Sequence, residues 1–213
     1  MIVLGSRKVI DKYTYSEMYT AMYINLADRK DRKKHIENEL DKVGFTNFQR
    51  FDAIKDNRGY IGCTKSHIAC IELAKQRNYP YVIILEDDFE FLIGKDEFGF
   101  LLNHLLGIDY DVFILGHNGE SKSKTEDNLV FKIKNSQTTS GYIVNSRYYD
   151  RLLSNYREGL VMLDKTDDYP SYAIDQYWKR LQDTDKWFCY KKRLGKQRES
   201  YSDIMNAHVD YGV

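Results

Sequence analysis

Proline is almost absent: Pro80 and Pro170 are the only two in 213 residues. No Pro- or Ser-rich linker divides the chain, and no repeat or low-complexity tract is visible, so residues 1–213 read as one domain of ordinary to large size. Cysteine is scarce as well. Cys63, Cys70 and Cys189 form neither an even disulfide framework nor a CxxC pair, which points to the cytoplasm or another reducing compartment. Net charge is lacking: 32 basic side chains balance 32 acidic ones, and nothing in that total suggests nucleic acid, although a neutral sum can hide a local patch. Long apolar runs are missing too. The opening "MIVLGSRKVIDKYTYSEMY" has a very short apolar stretch and does not read as a signal peptide. No segment approaches the ~18 apolar residues of a membrane span. What is present is a 42% hydrophobic composition, enough for a substantial core and against disorder, together with 18 tyrosines.

Apolar periodicity alternates along the chain. "AMYINL" reads as a strand, and "DRKDRKKHIENELDKVGF" follows as a helix, with Ile36, Leu40 and Val43 at helical spacing and Gly44 as its stop. "FQRFDAI" is a short strand, "GCTKSHIACIELAKQRNYP" a buried helix ending before Pro80, and "YVIIL" a continuous apolar run of the kind found in strands covered on both faces. "FLLNHLLG" reads as a helix. "YDVFILG", "LVFKI" and "SGYIVN" read as strands, and "SRYYDRLLSNY" and "YAIDQYWKRLQ" as helices. This alternation predicts an α/β layer fold with a mainly parallel central sheet flanked by helices. Ligands of such sheets bind beyond the carboxyl ends of the strands.

One such end carries the strongest chemical signal. In "YVIILEDDFEF" the apolar run meets Glu86, Asp87 and Asp88. Three adjacent carboxylates beside a buried strand repel one another unless a cation or hydrogen-bond donors compensate. A hard divalent cation such as Mg2+ or Mn2+ is one solution, with substrate phosphates completing its shell. A solvated loop start, or a capping cluster for a following helix, is the other reading. Strand alternation predicts that Glu86 and Asp88 point together and Asp87 away. Cys63 and His67 stand at i,i+4, a spacing compatible with metal. No third Cys or His lies near in sequence, so His67 reads as a packed or hydrogen-bonding side chain rather than a ligand.

Taken in order, "INLADRKDR", "FDAIKDNRGYIGCTKSH" and "YVIILEDDFEF" resemble glycosyltransferase family 25, which includes lipopolysaccharide and collagen hydroxylysine galactosyltransferases. The similarity continues through "SQTTSGYIVNSRYYDRL" and more weakly into "AIDQYW" and "QRESYSDI", from about Tyr23 to about Ile204. The resemblance implies a GT-A type fold, a UDP-hexose donor (galactose before glucose), Mn2+ or Mg2+, and an inverting transfer to a glycan or hydroxylysine-type protein acceptor. A non-catalytic domain of the same fold, binding a glycan or protein partner, is the alternative. A nucleotidyltransferase would share the metal logic, but the glycine-rich phosphate loop it wants is not found.

By the same resemblance the acidic motif is Glu86-Asp87-Asp88. Asp88 anchors the metal, and Glu86 holds a metal-bound water or the ribose. Asn25, Leu26 and Asp28 lie where the first strand receives the nucleotide. Arg32 adds positive charge near the pyrophosphate, unless it is a surface charge paired with Asp28 at i,i+4. Asp52 faces uracil or ribose, or is a turn residue, and Ala53 leaves room for the base. Gly62 permits close backbone approach or only a bend, and Ser66 lies one turn into the helix. Thr139, Ser140 and Gly141 border the donor sugar or acceptor. Asp175 is the candidate base, in a helical first turn that would lower its pKa. Tyr177 and Trp178 would form an aromatic platform for a sugar, or belong to the core. Asp203 and His208 are candidates for a returning C-terminal metal ligand.

Overall fold

A computed structural model describes residues 15–117, 121–202 and 207–209. In chain order the elements are α1 (Tyr15–Met18), β1 (Tyr19–Asn25), α2 (Lys30–Lys42), β2 (Phe48–Asp52), α3 (Gly59–Gln76), β3 (Tyr81–Glu86), β4 (Phe89–Phe91) and α4 (Lys95–Leu105). Then follow β5 (Val112–Ile114), β6 (Ser121–Lys124), β7 (Val130–Lys134), β8 (Gly141–Asn145), α5 (Tyr149–Thr166), α6 (Tyr169–Tyr172), α7 (Ile174–Tyr177) and α8 (Lys179–Gln182). Four short strands close the series: β9 (Trp187–Tyr190), β10 (Gly195–Gln197), β11 (Ser200–Ser202) and β12 (Ala207–Val209).

Among the described residues, eight strands form one sheet in the order β2-β1-β3-β8-β5-β9-β7-β6. β1 runs parallel to β2 and β3, and β5 parallel to β9; β8 and β7 run against the other six. The sheet is therefore mainly parallel in direction and helices flank it, the α/β layer architecture that the apolar periodicity predicts. The reason lies in β1 and β3, which bury both faces. Ala21, Tyr23, Ile83 and Leu85 face a core completed by Ile36 and Leu40 of α2 and by Phe98 and Leu102 of α4. Met22, Ile24, Val82 and Ile84 face the opposite core, with Ile68 and Ile71 of α3 and Leu152 and Tyr156 of α5. Period-two alternation in a strand covered twice gives an unbroken apolar run. Each such Leu or Ile contributes about 1.5–3 kcal/mol by leaving water.

Helix ends follow local chemistry. α2 stops at Gly44, which takes φ 64° and donates its N–H to the Asp41 carbonyl at 2.8 Å. The single helix expected over "YAIDQYWKRLQ" is instead two short ones, α7 and α8. Ala173, with ψ 147°, is extended ahead of α7, and the indole of Trp178, between α7 and α8, donates to the Ser136 carbonyl at 2.9 Å. Trp178 is wholly buried against Tyr142 and Trp187, so it packs the core and offers no platform to a sugar. Among the described residues no helix is long and apolar enough to cross a membrane.

Candidate active site

A cleft of about 250 Å³ opens beyond the carboxyl ends of β1 and β3, against the first turns of α3. Leu26, Arg32, Ala53, Gly62, Ser66, Glu86, Asp87 and Asp88 line it, as does Gln197 from β10. The strand-end placement is where an open α/β sheet receives its ligand.

The acidic motif is arranged differently from what strand alternation predicts. β3 ends at Glu86, and Asp87 and Asp88 form a turn before β4, so period two no longer applies. Asp87 and Asp88 face the same cation: Arg32 Nη1 lies 2.9 Å from Asp87 Oδ1 and 3.0 Å from Asp88 Oδ2. Asn25 Nδ2 donates to Asp87 Oδ2 at 2.7 Å, and Gln197 Nε2 donates to Asp88 Oδ2 at 3.1 Å. The Asp88 carbonyl accepts the Arg198 N–H at 2.8 Å, pinning the turn to the end of β10. Asp88 Oδ1 is buried and has no hydrogen-bond partner among the described residues. Burial, with the charge of Glu86, lifts the Asp88 carboxyl to about 7 against the pull of Arg32.

Glu86 turns elsewhere. Its Oε1 accepts the Thr139 hydroxyl at 2.6 Å and lies 3.4 Å from His67 Nε2. Its amide donates to the Ser140 carbonyl at 2.8 Å. Burial pushes the Glu86 carboxyl up, but His67 and the Thr139 hydroxyl outweigh it and hold the net value low. His67 is wholly buried, with Nδ1 2.8 Å from the Tyr142 hydroxyl. Cys63, one turn earlier on α3, also faces this cluster, and burial followed by the Glu86 charge pushes its thiol well up.

Several expectations are corrected here. Arg32 is no surface charge paired with Asp28; it is buried under the acidic turn, while Asp28 pairs with Lys55 at 3.1 Å in solvent. The close approach that Gly62 permits is to protein: a Cβ there would sit 2.5 Å from the Ile54 carbonyl. Ser66 serves the same seam, accepting the Ile54 N–H at 2.8 Å. Gly141 likewise makes room for Phe89, whose ring would lie 2.4 Å from an added Cβ. Asp52 is exposed and pairs with Arg50 at 2.6 Å, and Asn25, behind the cleft wall, orients Asp87 and accepts from Arg50 Nε at 3.0 Å.

Asp175 is not in the cleft lining. Its Oδ2 accepts the N–H of Thr138 at 3.0 Å, in a loop where Thr138 takes φ 80°. Burial raises its pKa, opposite to the lowering expected from a helix dipole, because α7 has only four residues and little dipole to offer. Asp203 lies outside the described residues, and His208 is described only as backbone in β12, paired with Tyr201. Gln197 is the site residue the sequence reading missed. It is a lone amide about 110 positions from its partner Asp88, with no spacing to betray it.

The donor set suits a hard divalent cation. All the side-chain oxygens on the Asp87–Asp88 turn are carboxylate, and Asp88 Oδ1 is a buried acceptor without a donor. Arg32 already supplies part of the compensating charge.

Comparison with known proteins bears on this geometry. Residues 57–151, from α3 through β8 to the start of α5, match the family model "Glycosyltransferase family 25 (LPS biosynthesis protein)". A Haemophilus influenzae protein named "Putative glycosyltransferase" is 29% identical over 152 residues, covering 58% of this chain and 53% of that protein. The chain thus spans about half the length of the curated relative it matches. Among solved structures, mannose-1-phosphate geranyltransferase of Thermus thermophilus is similar at TM-score 0.49 and 9% identity, over 85% of this chain and 74% of that one. A glycosyltransferase involved in glycosylation of the major capsid of PBCV-1 is similar at TM-score 0.42 and 9% identity, over 81% and 92%. Likenesses at that distance do not bear on chemistry.

Proposed function

We propose, for a chain that carries the glycosyltransferase family 25 pattern across its centre, that it transfers a hexose from a UDP-sugar to a glycan or hydroxylysine-type acceptor, with inversion. The observation that carries this reading is the acidic turn in the cleft lining, where Asp88 has a buried carboxylate oxygen without a donor. Asp88 would hold Mn2+ or Mg2+, with Asp87 and Glu86 beside it. When bound, the cation supplies charge neutralisation for the diphosphate leaving group. Arg32 adds a fixed positive charge under the same turn, and Asn25 keeps Asp87 oriented toward it. Leu26 and Ala53 provide the apolar wall on which a uracil would rest. The galactose preference, the acceptor class and inversion come from the family resemblance.

Asp175 is the proposed base. A carboxylate with a raised pKa accepts a proton more readily than an ordinary one. Because it also holds the Thr138 amide, two variants separate the roles. Asn keeps an oxygen acceptor for that N–H, whereas Ala does not. A base predicts that Asp175→Asn and Asp175→Ala both lower turnover at least ~100-fold with donor affinity intact. Near-normal turnover in Asp175→Asn alone would make it a loop-positioning residue.

The decisive test of the whole reading is calorimetric. UDP should bind with Mn2+ and not without it, and Asp88→Asn should abolish that dependence in a folded protein. A donor screen answered only by GDP- or CMP-sugars would overturn the UDP assignment.

A further inference from the structure

We propose that Cys63, His67 and Glu86 form a second cation site, selective for thiophilic ions of the zinc class and distinct from the hard-cation site at Asp88. The three ligand atoms, Sγ, an imidazole nitrogen and a carboxylate oxygen, lie within 4.8 Å of one another. α3 brings the first two to one face at i,i+4, and the end of β3 delivers the third from nineteen positions beyond His67. Sequence spacing alone could not supply that third ligand.

His67 carries the argument. Its ring is wholly buried, and Nε2 has no hydrogen-bond partner among the described residues. Burying an imidazole nitrogen whose nearest partner is a long contact to Glu86 costs free energy that a fold ordinarily avoids. The other nitrogen lies 2.8 Å from the Tyr142 hydroxyl, and a phenol in that position fixes the ring and aims Nε2 at Glu86 and Cys63. His67 Nε2 stands 3.4 Å from Glu86 Oε1. That gap is long for an N–H···O bond. It is also the edge of a zinc tetrahedron: Zn–N and Zn–O bonds of about 2.0–2.2 Å place two ligands about 3.3–3.5 Å apart. A Zn–S bond of about 2.3 Å asks up to about 1.3 Å of closure from the Cys63 sulfur.

The donor chemistry separates the two sites. Sulfur and imidazole favour zinc over magnesium or manganese, whereas the Asp87–Asp88 turn offers only hard oxygens. Three protein ligands leave a fourth position, and all three residues line the cleft, so that position opens onto it. Binding would transfer the Cys63 thiol proton to solvent as the thiolate joins the cation. It would also commit Glu86, drawing it away from any role beside Asp88.

The test uses the full chain and metal alone, without nucleotide. Co2+ titrated into chelator-treated protein should give a thiolate-to-cobalt charge-transfer band in the near ultraviolet that saturates at one equivalent and is displaced by one equivalent of Zn2+. Cys63→Ser should remove the band and weaken zinc binding by at least ~100-fold, the upper range for losing even an outer partner of a metal ligand. His67→Asn should do the same, and Asp88→Asn should leave band and stoichiometry in place. Absence of the band in the unaltered, folded chain overturns the proposal whatever the variants do. So does a band that survives Cys63→Ser, which would belong to Cys70 or Cys189, or cobalt binding lost with Asp88→Asn and kept with His67→Asn.

Discussion

Arg32 neutralises two carboxylates that are themselves adjacent in sequence, and it does so under cover of protein. Removing it alone would leave Asp87 and Asp88 buried with like charge and no guanidinium between them. Arg32→Met should therefore cost about 3–5 kcal/mol in urea unfolding, the range for breaking a buried pair from one side. Adding Asp88→Asn should recover part of that loss, a coupling that a double-mutant cycle measures directly. In the unaltered background Asp88→Asn relieves crowding among three carboxylates. A gain of about 1 kcal/mol would raise Tm by about 2–4 °C for a chain of this size, in the same variant that loses metal-dependent UDP binding. At this scale the sequence was informative where charge sat in one short run, Glu86, Asp87 and Asp88; the placement of Arg32 beneath that run was left open between the site and a surface pair with Asp28. The direction of each side chain was not legible, because the turn after Glu86 cancels the alternation on which the reading relied. Thr139 and Ser140 were named as site residues but not as partners of Glu86, and Gln197, the partner of Asp88 from β10, was invisible for a simpler reason. Nothing local marks a residue whose partner lies half a chain away.

The element that frames the cleft is α3, and its first turns fit against residues 54–56 with no room to spare. Gly62→Ala would drive a methyl into the Ile54 carbonyl, so the helix must shift or the loop must move. A loss of about 1–3 kcal/mol is expected, and denaturant midpoints will show it. On the same face of the sheet, a second clamp joins α5 to the approach of β9. Asp185 accepts from the Tyr148 hydroxyl and pairs with Arg151 at 2.7 Å. Burial pushes the Asp185 carboxyl up, but Arg151 and Tyr148 more than offset it, so its folded pKa lies below the ordinary value. The stability it contributes is then present above the unfolded carboxyl range, near pH ~4, and is lost as pH falls through the folded pKa. Asp185→Asn should flatten the acid limb of a stability-versus-pH curve while lowering stability at neutrality. Most elements were readable, since β1, α2, α3 and β3 bury continuous or periodic apolar faces. The division between α7 and α8 was not, because Trp178 between them keeps right-handed helical dihedrals (φ −70°, ψ −18°) and the apolar pattern runs straight through it.

At the scale of the whole molecule, β8 is the seam. It pairs antiparallel with β3 on one side and with β5 on the other, between a block of β2, β1 and β3 and a block of β5 and β9. The predicted strand–helix alternation describes those blocks well and says nothing about what joins them; an antiparallel insertion leaves no signature in apolar periodicity. The seam has a consequence for the order in which the chain becomes available. As residues leave the ribosome from the amino end, β3 and β5 are both complete by residue 114, yet the strand each needs spans Gly141–Asn145. Through that interval one edge of β3 and both edges of β5 stand open, each a template for the wrong neighbour. A chain arrested before residue 141 should therefore collect in aggregates, and one released after residue 190, with β8, α5 and β9 in hand, should stay dispersed far longer. Pulling down arrested nascent chains of the two lengths would reveal whether this protein waits for its seam before it can close.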